Sequence, residues 1–473
     1  MDYDMISEVP MEDQQTRSRR SKFVFSLLSL ATFVEYFNAQ FLFASMRGLE
    51  KSLGLSPEKL SHFAMAEEFA LVSFIPVWGV LSDIYELRYL LTIAVFVTGC
   101  LSIILSTVSS FGFMLLIRLF KGATVGSVTP SAQKYIVTRK DISIGLAFGI
   151  IHSTACIARL VCSVVVTNFS STVFFGIYGW RICSFIFGSF CILVSPFLML
   201  MPNINRRPRG LDADRNVPLM LRIKHFLGFL FTNVKETFMT KTSRILPILI
   251  FIGDGPFIAA SFVTLYFQYM GLSDLKAGLS TGLLIIGSIF GGVLGGMCSD
   301  YCHAKSPRYG RLLFGAANMV IRIVTFALIF GVINIDNIQQ LYPFLAALLM
   351  INGATYITLS CVDRAILADV VMPSCQSFAV AFNVAISGIG SSVTFTPLLG
   401  MLTERVYGYQ PIQTDLRDAP KELIINNGIA LRNSITIMSM GTTAMLFVLY
   451  LLLCKSFGKD AENIRERAIL EKV

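Results

Sequence analysis

Charged residues are scarce in this chain of 473 residues. Lys, Arg, Asp and Glu together account for 15% of it, whereas hydrophobic residues account for 54%. A typical soluble domain carries about 25% charged residues, and a soluble fold of this length would need more polar surface than the sequence supplies. The composition therefore excludes an ordinary soluble enzyme and a disordered chain, and it indicates a protein with several membrane-spanning segments.

Motifs that bind nucleotides or catalytic metals are also missing. The glycine-rich stretch 287–296 is followed by no Gly-Lys-Ser/Thr sequence, so it does not predict a phosphate-binding loop, and no His-Glu-x-x-His motif occurs. The ten cysteines are scattered, most of them in apolar runs, and they do not resemble a disulfide framework. We therefore expect no cofactor, no metal and no enzymatic activity.

Twelve apolar runs are long enough to cross a bilayer, since a spanning helix needs about 20 mostly apolar residues. Their predicted limits are 22–46, 60–82, 89–110, 112–135, 143–167, 180–201, 245–270, 276–299, 312–333, 341–367, 377–403 and 429–454. They form two groups of six around a polar segment. We predict an all-α integral membrane protein with an N-terminal tail (1–21), a six-helix bundle (22–202), a cytoplasmic linker (203–243), a second six-helix bundle (244–456) and a C-terminal tail (457–473).

The positions of Lys and Arg predict the orientation of these spans. Basic residues are concentrated in the N-terminal tail, in the connections after spans 2, 4, 6 and 8, and in the C-terminal tail. By the positive-inside rule, both termini and these connections are cytoplasmic. The net charge of +9 is therefore interpreted as a sign of topology and not of nucleic acid binding.

A short motif recurs at the same place in each half. It consists of Gly79, Asp83 and Arg88 after span 2, and of Gly296, Asp300, Arg308 and Arg311 after span 8. Glycine lets helices approach closely, and a carboxylate at a helix end can pair with a loop arginine or face the N-terminus of another helix. Such contacts can hold one conformation and break in another, so we interpret both copies as a conformational switch within an internal repeat. The alternative is a helix-end acid that only reaches water.

These motifs resemble the loop 2–3 signature of the major facilitator superfamily, and Arg118 followed by Gly122 resembles its helix 4 motif. The resemblance covers about residues 22–456. It implies twelve transmembrane helices in two pseudo-symmetric six-helix bundles, with the substrate site between the bundles.

Within that superfamily, the sequence is similar to the Spinster-like lysolipid and sphingolipid transporters. The similarity rests on the order of residues from Pro76 to Asp83, on Ser306-Pro307-Arg308 and on Pro373 with the residues that follow it. The resemblance places Glu35 near an acidic residue that the family uses in coupling. Val125 and Ser391 stand where the family has acidic residues.

Ionisable side chains within the spans are candidate functional residues, because each costs roughly 2.5 kcal/mol or more in hydrocarbon unless it is paired or hydrated. The candidates for substrate binding or coupling are Glu35, Asn38, Arg118, Lys121, Arg159, Asp254 and Arg322. Arg118 and Lys121 are three residues apart and so share a helix face. An arginine can hold a phosphate or carboxylate with two parallel hydrogen bonds, although a structural role for Arg118 is equally open.

The sequence therefore predicts a secondary active transporter that works by alternating access. Its expected substrate is a small organic or amphiphilic solute with an anionic head, lysolipid-like by resemblance, and Glu35 is the expected proton-coupling acid. Two alternatives stay open: an uncoupled facilitator of another small solute or drug, and a membrane receptor or lipid scramblase. We expect a monomer in the lipid bilayer whose partners are its substrate and protons, and no nucleic acid.

Overall fold

The chain is a bundle of long α-helices in a computed structural model, which describes residues 11–138, 144–201, 232–357, 362–373 and 375–470. The helices of the first half are α1 (Met11–Leu53), α2 (Pro57–Ile84), α3 (Leu87–Thr107), α4 (Phe111–Val125), α5 (Val128–Thr138), α6 (Ile144–Ser170) and α7 (Gly179–Leu198). Strands β1 (Val173–Phe174) and β2 (Ile177–Tyr178) form an antiparallel hairpin between α6 and α7.

The second half repeats this pattern of long helices. It contains α8 (Lys241–Ser261), α9 (Val263–Tyr269), α10 (Asp274–Lys305), α11 (Gly310–Gly331), α12 (Tyr342–Ala354), α13 (Asp363–Val370), α14 (Gln376–Met401), α15 (Lys421–Leu453) and α16 (Phe457–Leu470). A 3-10 turn, Thr355–Ile357, follows α12, and a π-helical turn, Leu402–Val406, follows α14. Most of the predicted linker, residues 203–231 of 203–243, lies outside the described residues.

Eleven helical segments of the described residues are long and apolar enough to cross a membrane. The apolar helix α12 is shorter and, with the 3-10 turn and α13, accounts for the tenth predicted span. Large apolar side chains such as Leu193, Val293 and Met297 are exposed on the outside of the bundle, where a bilayer offers them an apolar solvent. The prediction of an all-α membrane protein is therefore confirmed.

Two helices run past the predicted apolar limits. Helix α1 covers residues 11–53 and α15 covers residues 421–453, whereas the predicted spans were 22–46 and 429–454. Polar residues that continue the helical hydrogen bonding add turns outside the apolar run. The predicted C-terminal tail also contains a helix, α16, because Phe457, Ala461 and Ile464 recur at helical spacing and are buried against the second half.

The packing of the two halves has approximate two-fold symmetry. Helix α2, which is span 2, packs against α14, which is span 11, and α6, which is span 5, packs against α10, which is span 8. Shifting each number by six exchanges the two contacts, as an internal repeat requires. The halves thus meet along two equivalent helix pairs.

Candidate functional site

Three buried polar side chains of the first half form one hydrogen-bonded group on α1, α2 and α4. Arg118 donates from Nη1 to Oε2 of Glu67 over 2.7 Å, and Asn38 donates from Nδ2 to Oε1 of the same carboxylate over 2.6 Å. All three residues are buried. Arg118 is therefore neutralised inside the bundle, and its contacts favour the structural role over direct substrate binding.

Gly122 explains how this group assembles. A Cβ atom at this position would overlap the carbonyl oxygen of Glu67, so only glycine lets α4 lie this close to α2. Arg118 lies one helical turn before Gly122 and is thereby held beside Glu67. The second half repeats this device, because a Cβ at Gly353 on α12 would overlap the carbonyl oxygen of Leu284 on α10.

Lys121 lies in the same bundle but takes no part in that group. Its side chain is 1% exposed, and its ammonium lies 5.9 Å from the ring centroid of Phe187, which is the geometry of a cation–π contact. The ammonium makes no ion pair or hydrogen bond with any described residue. The predicted pairing of Arg118 and Lys121 on one face is present, but the two cations have different surroundings.

Glu35 is a buried carboxylate that accepts hydrogen bonds from one described hydroxyl. The hydroxyl of Thr129 donates to its two oxygens over 2.8 and 3.0 Å, and the side chain is 5% exposed. The guanidinium of Arg159 also attracts it electrostatically. The Glu35 carboxylate is therefore held by one hydroxyl donor and by the nearby Arg159 charge.

Arg159 is in contact with both halves of the protein. Its guanidinium carbon lies 5.1 Å from the ring centroid of Tyr36 on α1 and 5.4 Å from that of Phe257 on α8. Its Nε is buried without a hydrogen-bond acceptor, and within the described part of the chain no carboxylate forms an ion pair with it. Arg159 is therefore a cation between the halves whose hydrogen-bond donors are available.

A further carboxylate, Glu68, lies near Arg159, and Asp254 of the second half lies near Glu68. Glu68 is exposed even though it lies midway along α2, and it interacts electrostatically with Asp254 of the second half and with Arg159. Asp254 accepts a hydrogen bond of 2.6 Å from the hydroxyl of Ser391. An exposed acid at this depth, facing charges of both halves, indicates a hydrated cleft between them.

Arg322 lies apart from Glu35, Glu68, Arg159 and Asp254, which we name the central group. Its Nε donates to the hydroxyl of Thr355 over 2.9 Å, another of its nitrogens donates to the Thr355 carbonyl, and the guanidinium stacks on the ring of Tyr356 at 4.6 Å. It is 2% exposed. Arg322 therefore lies within the second half, as Arg118 lies within the first.

The switch motifs make contacts within their own halves. Arg88 pairs with Glu86 over 2.7 Å, Arg311 pairs with Asp300 over 3.1 Å and with Asp369 over 2.5 Å, and Arg308 lies 3.9 Å from Glu462. Gly79 and Gly296 are half-buried near the ends of α2 and α10, and the side chain of Asp83 lies outside the described residues. Among the described motif residues, no ion pair joins one half to the other.

A cavity of about 780 Å³ lies away from these charges, between α1, α6 and α7. Its wall includes seven phenylalanines and almost no polar atoms. Phe187 forms part of this wall and contacts Lys121 from the other side. The polar central group between the halves and this apolar cavity of the first half are therefore separate features.

Sequence reasoning missed two residues beside Arg159, Tyr36 and Phe257, and it left Glu68, a charged residue of span 2, out of the substrate-binding set. Glu68 carried a signal. It is adjacent to Glu67 in span 2, and adjacent residues of a helix point in different directions, so only one of the two acids can face Arg118. Tyr36 and Phe257 carried no such signal, because the sequence contains 15 tyrosines and 39 phenylalanines and nothing local distinguishes these two. Their contact with Arg159 arises only where the halves meet.

Comparison with known proteins identifies the family. A family model described as the Major Facilitator Superfamily matches residues 28–394. The chain is similar to a bacterial homolog of the human lysosomal transporter Spinster, solved in an inward-facing and unoccupied conformation, with a TM-score of 0.75, 15% identity and coverage of 93% of this chain and 98% of that one. No curated protein sequence matches this chain significantly.

Other solved transporters share the fold at comparable distance. The nucleoside transporter NupG matches with a TM-score of 0.66, 13% identity and coverage of 91% of this chain and 98% of that one. A D-xylose-proton symporter matches with a TM-score of 0.62, 14% identity and coverage of 88% and 96%. These matches confirm the predicted twelve-helix, two-bundle architecture, and the chain belongs to the Major Facilitator Superfamily.

Proposed function

We propose that this protein is a secondary transporter that moves an amphiphilic solute with an anionic head across a membrane by alternating access, coupled to protons. Arg159 is the observation that carries the proposal. It is a cation between the two halves, it has donors unused by any described residue, and aromatic rings of both halves enclose it. A phosphate or carboxylate bound there would be held by both halves at once.

Glu35 is the proposed proton carrier. It is close enough to Arg159 for their charges to attract, so an anion that binds Arg159 would weaken the attraction that keeps Glu35 ionised. Substrate binding and protonation would then favour each other, which is the thermodynamic linkage that coupled transport needs. Glu68 and Asp254 would contribute further charge to the same cleft.

The orientation and the assembly state that we propose are those predicted from the sequence. We propose that both termini are cytoplasmic, because the basic residues are concentrated at their end of the bundle. The domain limits of 22–202 and 244–456 for the two rocking units, and a monomeric state, belong to the same proposal. The sequence resemblance to the Spinster-like transporters supports a lysolipid-like substrate.

Transport into reconstituted vesicles tests the proposal. The probes are lysophosphatidic acid and, as a neutral match with the same acyl chain, monoacylglycerol, each assayed with and without an imposed pH gradient. We expect accumulation of the anionic probe that depends on the gradient. Equilibration without accumulation would replace coupled transport by an uncoupled facilitator, and lipid exchange without probe uptake would indicate a scramblase.

Arg159→Gln makes the assignment of the binding residue specific. We expect this variant to lose uptake of the anionic probe by about tenfold or more, as expected for a lost hydrogen bond to a charged group, and to change uptake of the neutral probe far less. Arg322→Gln is the matched control, because Arg322 is buried outside the central group. Equal losses of both probes in Arg159→Gln would show that Arg159 does not bind the anionic head.

A further inference from the structure

Among the described residues, every hydrogen bond and ion pair between the two halves lies at one end of the bundle, the closed end. This closed end contains the connections α1–α2, α6–α7, α9–α10 and α14–α15, and it is opposite the end that holds the chain termini. These bonds join α1 and α2 to the segment 404–415, α1 to Tyr269 on α9, and α6 and the following Ser171 to α10. The contacts at this end therefore determine how easily the protein opens there.

One carboxylate lies at the centre of these contacts. Glu50 on α1 accepts hydrogen bonds from the hydroxyls of Tyr269 over 2.7 Å and Tyr409 over 2.6 Å, and from the backbone N–H of Ile412 over 3.1 Å. All three donors belong to the second half. Glu50 is 1% exposed, so water does not compete for its oxygens.

Arg47 completes the arrangement from the same helix. Its Nη1 donates to Glu50 over 2.7 Å and to the carbonyl of Ile412 over 2.8 Å, and its Nη2 donates to the carbonyl of Thr414 over 2.6 Å. The guanidinium carbon also lies 5.6 Å from the ring centroid of Tyr269. We name Arg47, Glu50, Tyr269, Tyr409 and Ile412 the closed-end cluster.

The charges of this cluster are paired within one helix. Arg47 and Glu50 are three residues apart on α1 and move together, whereas the second half contributes only neutral hydroxyl, amide and carbonyl groups. Burial and the neighbouring Glu50 charge raise the pKa of Tyr409 well above its ordinary value, so this phenol stays protonated and keeps donating. Separation of the halves would therefore break hydrogen bonds between the Arg47–Glu50 pair and neutral groups, which water can replace, and it would leave neither charge without its partner.

We propose that the closed-end cluster is the gate of this transporter at the end opposite the termini. Its intrahelical ion pair makes closure strong while leaving opening reversible. This gate rests on the proposed alternating access. The cross-half ion pairs Glu58–Arg405 and Lys51–Asp415 each have an exposed partner, so each contributes far less than the buried cluster.

Hydrogen–deuterium exchange of the full-length protein in lipid nanodiscs tests the gate. Tyr269→Phe and Tyr409→Phe each remove one hydroxyl and no bulk, and each loses a hydrogen bond to a charged acceptor, so the population open at this end should rise by about tenfold or more. Peptides of the closed end, including the Ile412 amide, should then exchange faster. Peptides around 85–88 and 306–310 at the other end should exchange more slowly, because rocking closes that end.

Two controls separate the gate from local loosening. Tyr407→Phe is the matched control, since the Tyr407 hydroxyl makes no hydrogen bond with any described residue, and Glu58→Gln removes the exposed ion pair; both should leave the exchange pattern nearly unchanged. Faster exchange restricted to 409–416, with the other end unchanged, would overturn the gate and reduce the cluster to a loop attachment. No change in either phenylalanine variant would also overturn it.

The readout is independent of the proposed substrate. If the phenylalanine variants shift exchange at both ends but the vesicles take up no probe, the gate stands and the proposed transport fails. If probe uptake is observed and exchange is unaffected, transport stands and the gate fails. Glu50→Gln supplies a second measure in the same assay, because it weakens three acceptor contacts at once and should open the closed end more than either phenylalanine variant.

Discussion

Oε2 of Glu67 lies 2.7 Å from Nη1 of Arg118, and both side chains are buried between α2 and α4. The arginine that the helix 4 motif offers as an anion-binding residue is thus already neutralised. Arg159 has no ion-pair partner among the described residues, and it lies between aromatic rings of the two halves. Substitutions in the Glu67–Arg118 pair and substitutions of Arg159 should therefore have different effects.

Breaking the Glu67–Arg118 pair should destabilise the protein. Arg118→Met leaves a buried carboxylate without its cation, a change that typically costs about 3–5 kcal/mol. The double variant Glu67→Gln/Arg118→Met should recover most of this loss because no charge is left alone. Thermal unfolding in detergent measures both, and Arg88→Met, which removes an ion pair that is partly exposed, should change stability by less than about 1 kcal/mol. A stable Arg118→Met protein with weakened anion uptake would instead return Arg118 to the substrate site.

Neutralising Glu35 should separate coupling from movement. In Glu35→Gln, the group that would carry the proton is lost, so accumulation of the anionic probe driven by a pH gradient should disappear. Exchange of the probe down its own gradient should persist, because the amide keeps the shape and can still bond to Thr129. Counterflow and gradient-driven uptake in the same vesicles provide the two readouts. Accumulation that survives in Glu35→Gln would remove this residue from the coupling step, and Thr129→Val tests the hydrogen bond alone.

Adding one methyl group at Gly122 should be costly. A Cβ there would overlap the carbonyl oxygen of Glu67, so Gly122→Ala must push α4 away from α2 and should lower stability by about 1–3 kcal/mol. Gly112→Ala is the control in the same helix, because nothing lies within 4 Å of its Cβ and alanine favours a helix by about 0.5–1 kcal/mol. Thermal shift of the two variants compares them directly. Equal stability would show that α4 can move without penalty.

A larger side chain at Gly278 should hold the closed end apart. A Cβ there would lie 2.5 Å from the carbonyl oxygen of Ser163 in the other half, so Gly278→Val is incompatible with the present approach of α10 to α6. Oxidation of the buried Met270, measured by hydroxyl-radical footprinting, should rise severalfold. In Gly292→Val, where nothing lies within 4 Å of the Cβ, oxidation of Met270 should stay at the wild-type level. Similar oxidation in both variants would show that this glycine contact does not hold the end closed.

The helices and their number could be predicted because each apolar run is a local property. A bilayer admits only segments that satisfy their own backbone hydrogen bonds, so length and composition decide between helix and loop, as for α3, α7 and α11. The exceptions are polar turns. Residues 421–428 of α15 and residues 457–470 of α16 are helical through backbone bonding and docking, which an apolar count does not detect.

The candidate site was predicted only as a set of residue types. Charges inside the spans are few, so their cost in hydrocarbon made Glu35, Arg118, Arg159 and Asp254 candidates from the sequence. The sequence did not show that Arg118 is paired with Glu67 whereas Arg159 is not. That difference depends on which helix faces each side chain, and α2 meets α4 at Gly122 through tertiary packing.

The sequence by itself determined that this chain is a membrane protein with twelve membrane-spanning segments in two repeated halves. Bilayer thickness and backbone hydrogen bonding act on each segment separately. Only the tertiary structure decided which charges are neutralised and which are free, and at which end the halves are joined. Those properties depend on contacts between residues far apart in the chain, such as Glu50 with Tyr409 and Arg159 with Phe257. In an apolar interior the partner of a charge, more than the charge itself, sets its free energy and therefore its role.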